Sequence, residues 1–377
     1  MADLENIMSV ASADIHSILG VARADISTVM GVTMPSLGDW KGSRAFHFGG
    51  GWYNSSGSSS GNISNQIQYK TMTTDGNMAD FADLTIDNKS HLGSGSNGVR
   101  ILRGGGDADS EPNNVDQVTI DYWVAASAGV NALDAGDLED GGGRSGGGSS
   151  NGTLCMFYGG ERYPGEGSGN YSRDQIDYQN ISTTGGATDG GGSLTAASYA
   201  HETSSGDTKA LIMGISTSTS GTTTSVIDEH NMSSTSGNAS NYGSVDTEGH
   251  KNGAATMSST SRVVVAGGAG ASGTHNEVHY LPVASDSDSS DAADLTYSAF
   301  RMTGTSDGTR GEAYGGISGS YPDWFVKNVI QKFTLASLEN GSDIGDLVNE
   351  DTDSSGGAHD YGEQGSTFGA GAQTGIL

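Results

Sequence analysis

Nine histidines, one cysteine and 45 acidic side chains are the raw material for chemistry in this chain, and their spacing decides what they can do. His275 and His279 are four apart, but on a strand that spacing sets them about 13 Å apart on one face, too far to share a metal. No His-Glu-x-x-His helix, nucleophile elbow or Walker loop occurs. The Gly-rich stretches are turns, because no helix follows to cradle a phosphate. Asp107, Asp109 and Glu111, and likewise Asp286, Asp288 and Asp291, offer oxygens to Ca²⁺. Neither group fits the twelve-residue loop that gathers six to eight ligands, so solvated loops are the expectation. Cys155 lies near Tyr158, the pair a thioether-linked copper-radical site would need, yet a small buried thiol is the simpler reading. One cysteine allows neither an intrachain disulfide nor a Cys-based zinc site. The residues best suited to contact another molecule are aromatics in loops: Trp52, Tyr53, Tyr163, Tyr171, Tyr321 and Trp324. Such rings stack on sugars or anchor a protein partner, or else cover sheet edges.

Bulk composition narrows the field. The chain has 377 residues, 61 of them Gly, and is only 33% hydrophobic, a balance that suggests disorder unless repeated units shield one another. With 45 acidic against 17 basic residues, the formal charge is −28. Phosphate backbones and anionic membranes require Lys/Arg clusters, so neither nucleic acid nor a membrane surface is an expected partner. No apolar run approaches a membrane span, and the first residues lack the basic and apolar stretches of a secretory signal.

Three landmarks recur at intervals of about fifty residues, the length of one propeller blade. The first is a short apolar strand closing on Gly-Gly: Phe46–Gly50, Ile101–Gly105, Met156–Gly160, Leu211–Gly214, Val263–Gly268 and Glu312–Gly316. The second is built on Ile-x-Tyr, at Ile67–Tyr69, Ile120–Tyr122, Ile176–Tyr178, Ile227–Glu229, Val278–Tyr280 and Ile330–Lys332. Its alternation predicts apolar residues inward and the intervening polar residue toward water. The third is Asp-Leu or a relative, whose aliphatic member (Leu84, Leu138, Leu194, Val245, Leu295, Leu347) is the expected packing anchor between sheets. A run of small residues precedes each Gly-Gly strand and suits the crowded innermost strand of a propeller. Gly141–Ser150 and Asp351–Gly357 read as loops. The expected fold is all-β: a six-bladed β-propeller, with a seven-bladed or incompletely closed ring as the alternative. Ser366–Gly371 resembles a further Gly-Gly strand that either pairs with the first blade or begins a seventh.

An apolar strand ending in Gly-Gly, a tyrosine-bearing strand and a packing anchor together resemble the kelch repeat, although Leu or Val stands where that pattern has Trp. Phe-x-Gly-Gly, Ile-x-Tyr-x-Thr and Asp80-Phe81-Ala82-Asp83-Leu84-Thr85 resemble repeats in virion structural proteins of tailed phages, cyanophages in particular. The resemblance spans about residues 43–371. It implies a non-enzymatic tail, fibre, neck or capsid-decoration protein, made in a host cytoplasm and located in the virion.

Residues 7–32 carry a shorter, eleven-residue repeat, with Ile7-Met8-Ser9-Val10, Ile18-Leu19-Gly20-Val21 and Val29-Met30-Gly31-Val32 in step. As a helix, it would align Ile7, Ile15, Ile18, Ile26 and Val29 in one stripe. Gly20 and Gly31 each cost such a helix about 1 kcal/mol against Ala, which leaves a β-type arm open. The arm resembles the repeats that begin many phage structural proteins. The expected layout is therefore a docking and oligomerisation arm over 1–33, a linker over 34–42 and the propeller over 43–377. The partners are sister copies, other virion proteins and a host glycan or protein, with no cofactor. Two rival readings are a cell-surface glycan-binding propeller and a propeller lyase or glycosidase, the latter marked by His and carboxylates gathered at the channel mouth.

Overall fold

The computed structural model describes residues 17–18, 21–22, 28–29, 32–33, 44–52, 62–87, 93–106, 117–125, 128–139, 146–162, 171–198, 202–205, 209–213, 225–245, 253–259, 261–270, 273–320, 323–348 and 366–370. Its main body is six antiparallel sheets, each a meander of four strands running from an axis outward. In blade 2 the order is Gly93–Ser96, Arg100–Gly104, Thr119–Val124 and Leu133–Asp137. Blades 3 to 6 begin with Gly147–Ser150, Glu202–Ser205, Ala255–Ser258 and Thr303–Ser306. Blade 1 takes its innermost strand from the far end of the sequence. Ser366–Ala370 pairs with Arg44–Phe48, followed outward by Gln66–Thr71 and Ala79–Asp83. The six innermost strands neighbour one another in a closed circle, so the fold is a six-bladed β-propeller.

Each landmark has a structural position. Gly-Gly ends the second strand, Ile-x-Tyr lies in the third, and the Asp of Asp-Leu ends the outermost run of pairing. Two successive glycines at this corner have positive φ in blades 1, 3, 5 and 6, as in Gly315 (+60°) and Gly316 (+95°); in blade 2 they are Gly105 and Gly106, one residue later, because Gly104 still belongs to the strand. There the chain turns a corner that L side chains resist. A Cβ on Gly316 would also lie 2.6 Å from Met302 Cγ. The innermost strands need small residues because they meet across blades: a Cβ on Gly93 would sit 2.4 Å from the Gly147 carbonyl oxygen. This corrects the loop reading of Gly141–Ser150, since Gly147–Ser150 is a strand whose Gly and Ser residues fit the axis.

Both faces of the middle strands are covered, so alternation does not separate inside from outside. The second residue of Ile-x-Tyr, expected toward water, is buried in all six blades: Gln68, Asp121, Asp177, Asp228, His279 and Gln331. The tyrosine position is the half-buried one. The anchors Leu84, Leu138, Leu194, Val245 and Leu295 are buried as expected, and Leu347 is half-buried.

A polar joint repeats at every blade boundary. The carbonyl of the residue before each anchor accepts an N–H from the turn between the third and fourth strands of the next blade. The pairs are Ala132 to Asp83 (2.8 Å), Ala187 to Asp137 (2.8 Å), Ala239 to Ser193 (2.8 Å), Ser289 to Ser244 (2.9 Å), Gly341 to Asp294 (2.7 Å) and Met78 to Asp346 (2.9 Å). In five joints the bond is returned: the N–H of Asp83, Ser193, Ser244, Asp294 or Asp346 donates to Asn131, Asn238, Asp288, Asn340 or Asn77. Gly186 takes that place between blades 2 and 3. The residue after the anchor reaches the buried polar position itself, as Thr85 Oγ1 to Asp121 (2.5 Å), Thr195 Oγ1 to Asp228 (2.6 Å), Thr296 Oγ1 to Gln331 (2.9 Å) and Val348 N to Gln68 (2.7 Å). The boundary between blades 6 and 1 is thus jointed at its outer rim like the others, besides being closed at the axis by Ser366–Ala370.

The arm is β-type where it is described. Ser17–Ile18 pairs with Val21–Ala22, and Thr28–Val29 with Val32–Thr33, two small hairpins in step with the eleven-residue repeat. Ile18 and Val29 therefore lie in strands instead of a helical stripe. Ile7, Ile15 and Ile26 lie outside the described residues.

Gly316→Ala should destabilise the ring by about 3 kcal/mol, from left-handed strain plus the Met302 clash. Gly129→Ala, at φ +79° but facing open space, should cost about 1 kcal/mol. Urea denaturation midpoints of the two variants test that order.

Candidate functional site

The turns linking second to third strands, with the connections between blades, form one rim; the turns linking first to second and third to fourth strands form the other. On the first rim the chain rises past the Gly-Gly corner into short hairpins. These are Gly51–Trp52 with Asn62–Ile63, Glu161–Arg162 with Tyr171–Ser172, Ala269–Gly270 with Gly273–Thr274, and Ile317–Ser320 with Asp323–Val326. Three of the aromatics expected to contact a partner fall on these ribbons. Trp52 stands opposite Asn62, Tyr171 opposite Arg162, and Trp324 opposite Gly319. Trp52 belongs to blade 1 and Trp324 to blade 6, adjacent blades of the ring, whereas Tyr171 belongs to blade 3. Tyr53, Tyr163 and Tyr321 lie outside the described residues.

Among the described residues, contacts across the rim gather where blade 5 meets blade 6. Thr274 Oγ1 donates to the Gly319 carbonyl at 3.4 Å, which links the two ribbons. Phe300, in the connection between the blades, exchanges backbone hydrogen bonds with Ile317. Tyr297 donates to the Gly315 carbonyl at 2.9 Å, and the Lys327 ammonium lies 5.5 Å from its ring centre. Burial raises the Tyr297 phenol above its ordinary range, helped by the Asp343 charge, while a bond with Gln331 opposes the shift. Arg301 has φ +56°, left-handed for a non-glycine residue, with its guanidinium 5.4 Å from the Phe300 ring centre. Single-residue periodicity gave no sign of Arg301; only a backbone angle reveals it.

The residues weighed for chemistry are dispersed. Cys155 belongs to the core between blades 2 and 3, and Tyr158 to the core between blades 3 and 4. They point to opposite faces of one sheet, so a thioether between them is excluded. Tyr158 instead lies 3.1 Å from His230 Nδ1, both buried. His279 is buried and bonds Ser289 at 3.1 Å; His275 precedes the strand and lies 3.2 Å from Glu277. Asp288 is occupied by Ser244 at the joint between blades 4 and 5. Asp107, Asp109 and Glu111 lie outside the described residues. Among the described residues no three His, Cys, Asp or Glu side chains are grouped to hold a metal ion.

Among the side chains described, positive charge is committed internally. Arg44, Arg100, Lys209, Arg262, Arg301 and Lys327 lie over aromatic rings of this chain. Lys70, Arg103, Arg173, Arg310 and Lys332 face its carboxylates. Meanwhile Asp80, Asp134, Asp189, Asp291 and Asp343 stand exposed on the outermost strands. The described surface therefore meets other molecules with its acids.

No protein-family model matches the chain, and no curated protein matches it either.

Two buried groups set opposite pH responses. Burial holds the His47 imidazole down at about 4. Between pH 6.5 and 4 the unfolded chain binds a proton there that the fold refuses, so acidification removes on the order of 3 kcal/mol. Burial pushes Asp177 up to about 6, against the pull of Arg173. Between pH 6 and 4 the fold holds a proton there that the unfolded chain releases, so acidification adds on the order of 3 kcal/mol. His47→Phe, which copies Phe157 at the equivalent place in blade 3, should make stability rise more on going from pH 6.5 to 4 than in the unmodified chain. Asp177→Asn should make it fall more, and should stabilise at pH 7. Urea titrations at pH 4, 6.5 and 7 check both signs.

Proposed function

We propose that the chain is a non-enzymatic structural protein of a tailed-phage virion, built from kelch-like repeats. It attaches through residues 1–33 and presents its ribboned rim to neighbouring subunits or to a host-cell receptor. The observation that carries this reading is the placement of Trp52, Tyr171 and Trp324 on ribbons rising from one rim. Ribbons of unequal length on a repeated scaffold suit recognition, because they change without disturbing the sheets beneath. Among the described residues, Lys70, Arg103, Cys155, Asp177 and Asp228 lie buried between sheets. The exposed acids favour a partner that is neutral or basic over nucleic acid or an anionic membrane. The two in-step hairpins of the arm support a repeated docking element, and attachment in many copies would add weak rim contacts into firm adhesion.

Deleting residues 1–33 should lower the mass of the protein in solution and exclude it from assembled particles, as read by light scattering and by mass spectrometry of purified virions. Unchanged mass with unchanged incorporation would overturn the docking role. Trp52→Ala and Trp324→Ala should each weaken binding to host cells by about tenfold or more while leaving the melting temperature in place. Full binding by both variants would move recognition off the ribbons.

A further inference from the structure

The six blade boundaries share one backbone plan, yet each is filled differently at one recurring position. The position is the side chain two residues beyond the buried polar group of the third strand, facing the preceding blade. Between blades 6 and 1 it is Lys70, whose Nζ lies 2.7 Å from Glu312 Oε1. Arg310 lies 2.6 Å from the same oxygen, and Tyr314 donates to Oε2 at 2.5 Å. Between blades 1 and 2 it is Trp123, against Phe46 and Phe48 with ring centres 6.2 and 5.0 Å away. Between blades 2 and 3 it is Gln179, which donates to the Ala135 carbonyl at 3.0 Å. Between blades 3 and 4 it is His230, bonded to Tyr158. Between blades 4 and 5 it is Leu281, in one cluster with Leu211 and Met213, and between blades 5 and 6 it is Phe333, packed with Val264 and Ala266.

We propose that this position is an address that gives each blade a single permitted successor, and that Lys70 with Glu312 is the address of the closing boundary. The backbone cannot supply this choice. The second strands of all blades share one burial pattern where it is described, and the outer joints repeat at every boundary. Repeats so alike can dock out of order, or onto a second copy of the chain in a head-to-tail contact that does not close. A mismatched boundary would leave Lys70 buried without its carboxylate, or set Trp123 against residues with no room for it, so wrong order is penalised. The closing boundary has the greatest need of such a guard, because its two faces are brought together from opposite ends of the repeat series. A charged pair serves there because it discriminates strongly even where it adds little stability over apolar packing.

The test copies the boundary between blades 4 and 5 into the closing one. Lys70→Leu, Glu312→Leu and Tyr314→Met are introduced together, following Leu281, Leu211 and Met213. The triple variant should melt no lower than the unmodified chain. On dilute refolding from urea, the fraction regaining the native mass should fall severalfold, with larger species in its place. Refolding to the native mass with undiminished yield would overturn the proposal. If the triple variant does not fold, Lys70→Gln and Glu312→Gln, made singly and together, supply the second readout. The double variant should lose less stability than the sum of the singles, and strict additivity would overturn the pairing on which the address rests.

Discussion

The structure depends on one constraint: every blade is covered on both faces by its neighbours, so the polar groups of each sheet must find partners on the next. With 33% hydrophobic residues, a single sheet of this sequence could not sustain itself. Apolar contact alone would not suffice either, because a buried Gln, Asp or His occupies the centre of every third strand. An unpaired polar group there costs about 1–3 kcal/mol. The Thr that follows an anchor answers that cost for Asp121, Asp228 and Gln331 from the adjacent blade, and Asn131 and Asn340 accept backbone N–H groups across the same boundaries. Neighbouring blades therefore complete one another's hydrogen bonding as well as their cores, which makes the ring a cooperative whole.

The period, the strand order within a blade and the number of blades were legible in the sequence because they rest on residues with few structural alternatives. Paired glycines mark corners of positive φ, and an aliphatic residue in a polar context marks a buried anchor. The buried polar position was misread because period-two reasoning assumes one wet face, and Gln68 or Asp121 is dry on both sides of its sheet. Gly147–Ser150 looked like a loop because low side-chain volume signals both turns and a crowded axis, and only the approach of Gly93 to Gly147 separates the two. The joints through Asn131, Asn238 and Asn340 could have been seen as an Asn recurring ahead of the outermost strand. The clasp of Lys70 with Glu312 could not, since its members are far apart in sequence and break the repeat.

For the rim, the sequence supplied the residues and the structure supplied their common side. Trp52 and Trp324 come from the first and last blades, which ring closure makes adjacent. The outer perimeter is different in character. The outermost strands are free sheet edges, each carrying an exposed Asp or Asn at its slip in pairing. Charge and irregularity at an edge oppose strand-to-strand association, so many copies can be crowded together without their perimeters joining.

The pairing of Ser366–Ala370 with Arg44–Phe48 also has a consequence for synthesis. The sheet nearest the start of the chain receives its axial strand only after every other blade has left the ribosome. At about 5–20 residues per second, Arg44–Phe48 keeps an unfilled side for roughly 15–60 s. Throughout that interval nascent chains on one polysome present the same open ladder to each other, so translation speed and chaperone supply become determinants of yield.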